Sequence, residues 1–160
     1  MDLILWRHAE AEEGSPDASR RLTGKGKRQA ALMARWLKVY LPKHARLLAS
    51  PACRAQQTMQ ALDLPFETLD DLAQGNEAQQ ILEAINWPND TRPVVIVGHN
   101  PAFGQIGALL LSGEAQDWNL KKGGVWWFTR FGPEDFEETI LQAAMTPGLL
   151  KRVRQKGRTV

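Results

Sequence analysis

A single cysteine, Cys53, is all that the 160 residues contain. That excludes an internal disulfide and a thiolate-rich metal centre. No apolar run approaches the roughly 20 residues of a membrane-spanning helix. The first residues have no basic stretch ahead of an apolar one, so no signal peptide is expected. There is no internal repeat, no low-complexity segment and no domain linker. What remains, with 43% hydrophobic and 24% charged residues, is the composition of one ordinary globular domain. A chain of this length buries a substantial core without staples. A soluble cytoplasmic protein is the expectation.

Charge is unevenly placed. The formal net charge is +2. The last ten residues hold Lys151, Arg152, Arg154, Lys156 and Arg158 and no acid, so residues 1–150 carry a net −3. The sequence pI of 8.9 therefore belongs to the tail. We divide the chain into one domain over 1–150 and a basic tail over 151–160, expected to be solvated and frayed. Basic tails can bind nucleic acid, but nothing else in the sequence favours such a partner.

Strand and helix signals alternate. Asp2–Arg7 is a short apolar run that reads as a buried strand, and 10–19 reads as a loop. Thr23 caps a helix running to about Tyr40, with Ala30, Met33, Ala34 and Leu37 at helical spacing. A strand over Arg46–Ala49 follows. Ser50-Pro51 has the form of a cap followed by proline at the first helical position, opening a helix to about Leu62. A short strand is expected over 66–69. Asn76 with Gln79 resembles a capping box for a helix ending near Trp87. Val94-Val95-Ile96-Val97 is the strongest strand signal, and Asn100-Pro101 again suggests a helix start, here to about Leu111. Two late strands over 125–131 and 137–143, joined through Gly132-Pro133-Glu134-Asp135, form the one hairpin. Trp126 and Trp127 point to opposite faces of the first, so one is expected in the core. Trp36 and Trp87 read as packing residues, and His44 as inert.

This alternation implies an α/β fold with a largely parallel sheet covered on both faces. Ligands then bind beyond the carboxyl ends of the strands. Arg7 and His8 follow the first strand, Ser50 and Arg54 the second, and His99 the Val-Val-Ile-Val strand. Guanidinium forks suit phosphate and stay charged. Helix N-termini add N–H donors for the same anion. A histidine there can attack phosphorus and become phosphorylated. A second histidine can stabilise developing negative charge when a bound dianion raises its pKa.

Four segments carry a resemblance: Arg7-His8-Ala9-Glu10-Ala11-Glu12, Arg21-Leu22-Thr23-Gly24-Lys25-Gly26, Ser50-Pro51-Ala52-Cys53-Arg54-Ala55-Gln56-Gln57-Thr58, and Val97-Gly98-His99-Asn100. In order and spacing they resemble the histidine phosphatase (phosphoglycerate mutase-like) superfamily, and the start is similar to its SixA-type phosphohistidine phosphatase branch. The resemblance implies a three-layer α/β/α sandwich with a mixed, mostly parallel sheet. It implies that His8 is the phosphorylated nucleophile, that Arg7, Arg54 and His99 complete the phosphate pocket, and that Arg21 contacts substrate. It implies no metal and no cofactor.

The sequence departs from the family in three respects. Ala9 stands where glycine is common. The long insertions that cover the site in phosphoglycerate mutases are missing, which argues against mutase activity because protecting a phosphoenzyme from water needs a lid. An open site admits a phosphorylated protein as partner. The general acid is unassigned among Glu10, Asp71 and Glu77. A phosphorylated imidazole has less need of one than an ester, because imidazole titrates near 6.5 and can be protonated beforehand. The expected function is therefore a phosphohistidine phosphatase. The alternatives are a phosphatase for a small phosphate ester or phosphoramidate, and a phosphate-binding module without turnover. Cys53 is not expected to be a nucleophile: that chemistry places an arginine six positions on, where Met59 stands. His8 and His99 lack a third ligand for a metal.

Overall fold

The computed structural model describes residues 1–132 and 138–156, with side chains of the last helix described as far as Val153. The elements in order are β1 (Asp2–Arg7), α1 (Gly24–Tyr40), β2 (Arg46–Ala49), α2 (Cys53–Gln60), β3 (Glu67–Thr68), α3 (Ala78–Ala84), β4 (Val94–Gly98), α4 (Ala102–Ser112), β5 (Val125–Phe131), β6 (Glu138–Met145) and α5 (Pro147–Lys156). Short 3-10 turns occupy Asp17–Ser19 and Asp70–Leu72.

The six strands form one sheet in the order β3-β2-β4-β1-β5-β6. The first four strands in that order run parallel, whereas β5 and β6 are antiparallel to their neighbours. The sheet is thus mixed and mostly parallel, with helices on both faces. Alternation along β1 builds both halves of the core. Leu3 and Leu5 face the side covered by α3 and α4, where they meet Ile81, Ile96, Phe103 and Ile106. Ile4 and Trp6 face α1 and α2, among Met33, Leu37, Met59 and Val97. β1 and β4 are buried on both faces, so both read as unbroken apolar runs. Trp126 and Trp127 divide the same way: Trp127 is buried on the α1 side, and half-buried Trp126 packs on the α4 side. Both therefore serve the core.

Three helix starts differ from the sequence expectation. α2 begins at Cys53 with Ala52 as its cap, and the Ser50 hydroxyl ahead of it bonds His99 and accepts from the Ala52 N–H. α3 begins at Ala78 and ends at Ala84, short of Trp87, and no capping box forms. The Asn76 amide instead donates to the carbonyls of Asp70 and Asp71. α4 begins at Ala102 with Pro101 as its cap, and the Asn100 amide is turned to donate to the Leu120 carbonyl. α1 starts as expected, the Thr23 hydroxyl accepting from the Gly26 N–H at 2.9 Å. At the other end of the chain, α5 crosses the 150/151 boundary, so the tail continues a helix as far as Lys156. The turn expected through Gly132-Pro133-Glu134-Asp135 lies largely outside the described residues, as do the last four residues of the tail.

Candidate active site

β1, β2 and β4 are neighbours and point the same way, so their carboxyl ends open on one edge. Arg7 ends β1 and His8 follows it. Ser50 follows β2, Arg54 stands in the first turn of α2, and His99 follows β4. The fold brings Arg7, His8, Arg54 and His99 together around a cavity of about 110 Å³. The two imidazole centroids are 5.2 Å apart.

The loop that carries His8 onward is held by the motif residues around it. The Ala9 N–H donates to the Thr58 hydroxyl at 3.1 Å, and that hydroxyl donates to the Arg54 carbonyl at 2.7 Å. The Gln57 side chain accepts from the Leu22 N–H, and the Gln29 side chain accepts from the Glu10 N–H. The segment Arg54 to Thr58 therefore both supplies a charge and fixes the loop opposite it.

His8 is buried, and its Nδ1 lies 2.8 Å from the Ala9 carbonyl. A carbonyl only accepts, so Nδ1 carries the proton and the Nε2 lone pair is left for the cavity. Arg54 Nε donates to it at 3.3 Å. His99 Nε2 lies 2.8 Å from the Ser50 hydroxyl, which also accepts from the Ala52 N–H. Arg54 Nη2 approaches His99 Nδ1 at 3.4 Å. The Ser50 hydroxyl is the short partner of Nε2, whereas the two Nη2 hydrogens of Arg54 go to the nearer Asp17 carboxylate and Gln74 side chain. Burial pushes the His8 pKa down to about 3, with His99 and the arginines adding to the effect against the Ala9 hydrogen bond. Burial and then Arg54 push His99 down to about 4. Both rings are neutral at neutral pH, and the His8 Nε2 lone pair accepts from Arg54 Nε.

Arg54 is 1% exposed. Its Nη1 donates to the Asp17 carbonyl, and its Nη2 to the Asp17 carboxylate at 2.9 Å and to the Gln74 side chain. Burial works against the Asp17 carboxylate, but hydrogen bonds from Arg54 and Arg20 outweigh it and hold the group below the usual range. Asp17 thus occupies a donor on Nη1 with its backbone carbonyl and one on Nη2 with its carboxylate.

Arg21 does not line this cavity. It is exposed, and its carbonyl accepts from the Glu12 N–H. The cavity side of the loop belongs to Arg20, which donates to the Asp17 carboxylate and to the Glu12 carbonyl. The bridge between Ala11 and Leu22 sets this arrangement. Leu22 must point inward to pack with Ala9 and Ala30, and alternation then turns Arg21 outward. Of the three candidate acids, Glu10 accepts from the Thr23 hydroxyl, and Asp71 accepts from Gln80. Glu77 is the one that lines a cavity beside His99, an adjoining space of about 180 Å³ shared with Gln74 and Asn100. Sequence reasoning missed Asp17, Arg20, Gln74, Asn100 and Lys122 at this site. The visible signals were Arg20 beside Arg21, Asn100 beside His99, and Lys121-Lys122 ahead of Gly123-Gly124, a cationic pair at the entrance to a strand. Cys53 is half-buried and does not line the cavity.

Comparison with known proteins agrees with this geometry. The model of the histidine phosphatase superfamily (branch 1) matches residues 3–77. The phosphohistidine phosphatase SixA homolog of Haemophilus influenzae is 34% identical over 126 residues, 69% of this chain and 77% of that protein. The chain belongs to the histidine phosphatase superfamily. The phosphohistidine phosphatase SixA of Escherichia coli is 32% identical over 124 residues, 71% of this chain and 76% of that protein. A solved structure of the protein histidine phosphatase SixA with tungstate matches at a TM-score of 0.80 and 26% identity, covering 94% of this chain and 99% of that one. A phosphoserine phosphatase of Entamoeba histolytica shares the fold at a TM-score of 0.66 and 19% identity, over 91% of this chain and 97% of that one. Membership of the superfamily together with the SixA relatives makes the chain a phosphatase, built on the phosphoglycerate mutase-like fold. Among the described residues, no helix is long and apolar enough to cross a membrane.

Proposed function

We propose that the chain is a phosphohistidine phosphatase that removes phosphate from a histidine of a phosphorylated protein, through a phosphoryl intermediate on His8. The observation that carries this reading is the fixed tautomer of His8. Its Nδ1–H is tied to the Ala9 carbonyl, and its Nε2 faces a nest of guanidinium groups. Arg7, Arg54 and His99 hold the phosphoryl oxygens, which take over the Arg54 donors now bonded to Asp17. His8 Nε2 attacks phosphorus, the bond from phosphorus to the leaving nitrogen breaks, and the leaving imidazole keeps a proton it already carries. The Ala9 carbonyl stabilises the charge that His8 gains. Water then attacks the phosphorus, the bond to Nε2 breaks, and inorganic phosphate leaves. The dianion raises the His99 pKa, so that His99 donates from Nδ1 to a phosphoryl oxygen. Positioning and charge carry the catalysis, as is general for phosphoryl transfer.

Two features support a protein substrate over a small ester. None of the three candidate acids lines the phosphate cavity itself, and an imidazole leaving group has the least need of one. The SixA relatives carry the same activity in their names. The test is phosphate release from a phosphohistidine-containing protein, run beside para-nitrophenyl phosphate and a panel of small phosphate esters. Preference for phosphohistidine is expected, and His8→Ala abolishes it while circular dichroism shows an unchanged fold. Faster turnover of an ester than of phosphohistidine overturns the substrate assignment, and wild-type-like activity of His8→Ala overturns the nucleophile.

A further inference from the structure

The phosphate cavity holds more positive charge than one phosphoryl group needs. Arg7, Arg20, Arg54 and Lys122 all line it, and no carboxylate does. Asp17 touches it from outside, on Arg54 and Arg20, and Glu77 lies in the adjoining space. Four permanent cations against one nearby carboxylate leave a net excess of about three charges, where a phosphoryl dianion brings two. Three of the four cations have protein partners: Arg7 donates to the Leu120 carbonyl, and Arg20 and Arg54 bond to Asp17. Lys122 has no hydrogen-bond or ion-pair partner among the described residues.

Its backbone is nonetheless fixed. The Gly123 N–H donates to the carbonyls of both Arg7 and His8, at 3.1 and 3.0 Å, and the Trp6 indole donates to the Gly123 carbonyl. The Arg7 N–H donates to the Gly124 carbonyl, and the Gly124 N–H to the Lys121 carbonyl. On the other side, the Leu120 carbonyl accepts from Arg7 Nη1 and from the Asn100 amide. Gly123 sits at φ +73°, where a side chain would also press on Pro147. Lys122 is therefore mounted directly on the end of the strand that carries His8, and only its side chain is free to move. With the backbone already fixed, meeting an anion costs only the rotamer entropy of the lysine side chain.

We infer that Lys122 is a specificity-determining residue that binds a second anionic group of the substrate, adjacent to the phosphoryl group held by Arg7, Arg54 and His99. This rests on the phosphate-binding part of the function proposed above. The second anion is an acidic side chain beside the phosphohistidine, or a second phosphate in a small molecule.

Calorimetric binding of inorganic phosphate and pyrophosphate separates the inference from its foundation, because neither measurement needs turnover. At about 0.15 M salt, distant charges are screened. Wild type binds pyrophosphate more tightly than phosphate, and Lys122→Gln lowers that ratio by about tenfold, the low end of the worth of a charge-assisted contact because Lys122 is exposed. Lys122→Arg keeps the ratio, as does Lys121→Gln on the exposed neighbour outside the cavity. Equal weakening of both ligands by Lys122→Gln, with the ratio intact, overturns the inference and leaves the phosphate site standing. Failure of wild type to bind either ligand overturns both. Turnover of phosphohistidine peptides flanked by glutamate or alanine identifies the source. A glutamate preference lost in Lys122→Gln supports an acidic protein segment. A Lys122-dependent pyrophosphate ratio without peptide discrimination supports the inference with a small-molecule source.

Discussion

At the scale of single residues, one buried cation organises the site. Arg54 bonds to His8, Asp17 and Gln74 and lies against His99, and such a charge is tolerated because each of its three nitrogens has a partner. Arg20 shares Asp17 with it and lines the cavity, whereas Arg21 points outward. Arg20→Gln is expected to lower kcat/KM on phosphohistidine about ten- to hundredfold, the usual worth of a lost hydrogen bond to a charged group. Arg21→Gln is expected to stay within about twofold, as an exposed charge outside the site. Steady-state kinetics on the two variants check this, and the reverse order would place Arg21 at the substrate. The two arginines are adjacent in the sequence and chemically alike, so nothing in the pattern separates them. The distinction comes from Leu22, whose burial sets the phase of the alternation.

At the scale of elements, α1 owes its place to a glycine. A Cβ at Gly26 would collide with the Glu10 carbonyl oxygen, so the first turn of α1 lies directly on the loop after His8. The Thr23 hydroxyl caps that turn, and the Glu10 carboxylate accepts from the same hydroxyl. Gly26→Ala must push helix and loop apart. It is expected to destabilise the protein by about 1–3 kcal/mol, the cost of overpacking a tight contact, and to lower activity as the loop shifts. Urea unfolding followed by a rate assay measures both, and an unchanged midpoint would show that the contact yields without strain. The resemblance drew Gly26 into a motif, but its reason is visible only where two segments meet. The helix starts at Ser50, Asn76 and Asn100 teach the same lesson from the other side. Their side chains have cap chemistry, but other hydrogen bonds orient them: Ser50 meets His99 and the Ala52 N–H, the Asn76 amide donates to two loop carbonyls, and the Asn100 amide donates to Leu120.

At the scale of the whole molecule, burying two neutral histidines links stability to pH. In the unfolded chain they bind protons near 6.5. In the folded protein they do so only near about 3 and about 4. Between those values the unfolded chain binds more protons, so stability rises with pH up to about 6.5 and falls as the solution is acidified. The slope is bounded by about 1.4 kcal/mol per pH unit for each histidine. Asp17, whose pKa is also lowered, adds to the loss at still lower pH. Urea midpoints measured from pH 7 to pH 4 are expected to fall more steeply for wild type than for the double variant His8→Gln/His99→Gln. Parallel slopes would mean that the rings titrate normally in the folded protein.

The sequence by itself determined the strand-and-helix alternation and the convergence of Arg7, His8, Arg54 and His99. Both rest on local rules, apolar period and the placement of polar residues at strand ends, which need no knowledge of what packs against what. Packing alone decided the pairing of His99 with Ser50, the contact of Asp17 with Arg54, the exchange of Arg20 for Arg21, and the mounting of Lys122 beside His8. Each depends on groups far apart in the chain, up to 117 residues in the case of Trp6 and Gly123. The physical reason is that a hydrogen bond or a buried charge is settled by whichever partner arrives, and the arrival is fixed by the packing of the sheet and its two helical layers.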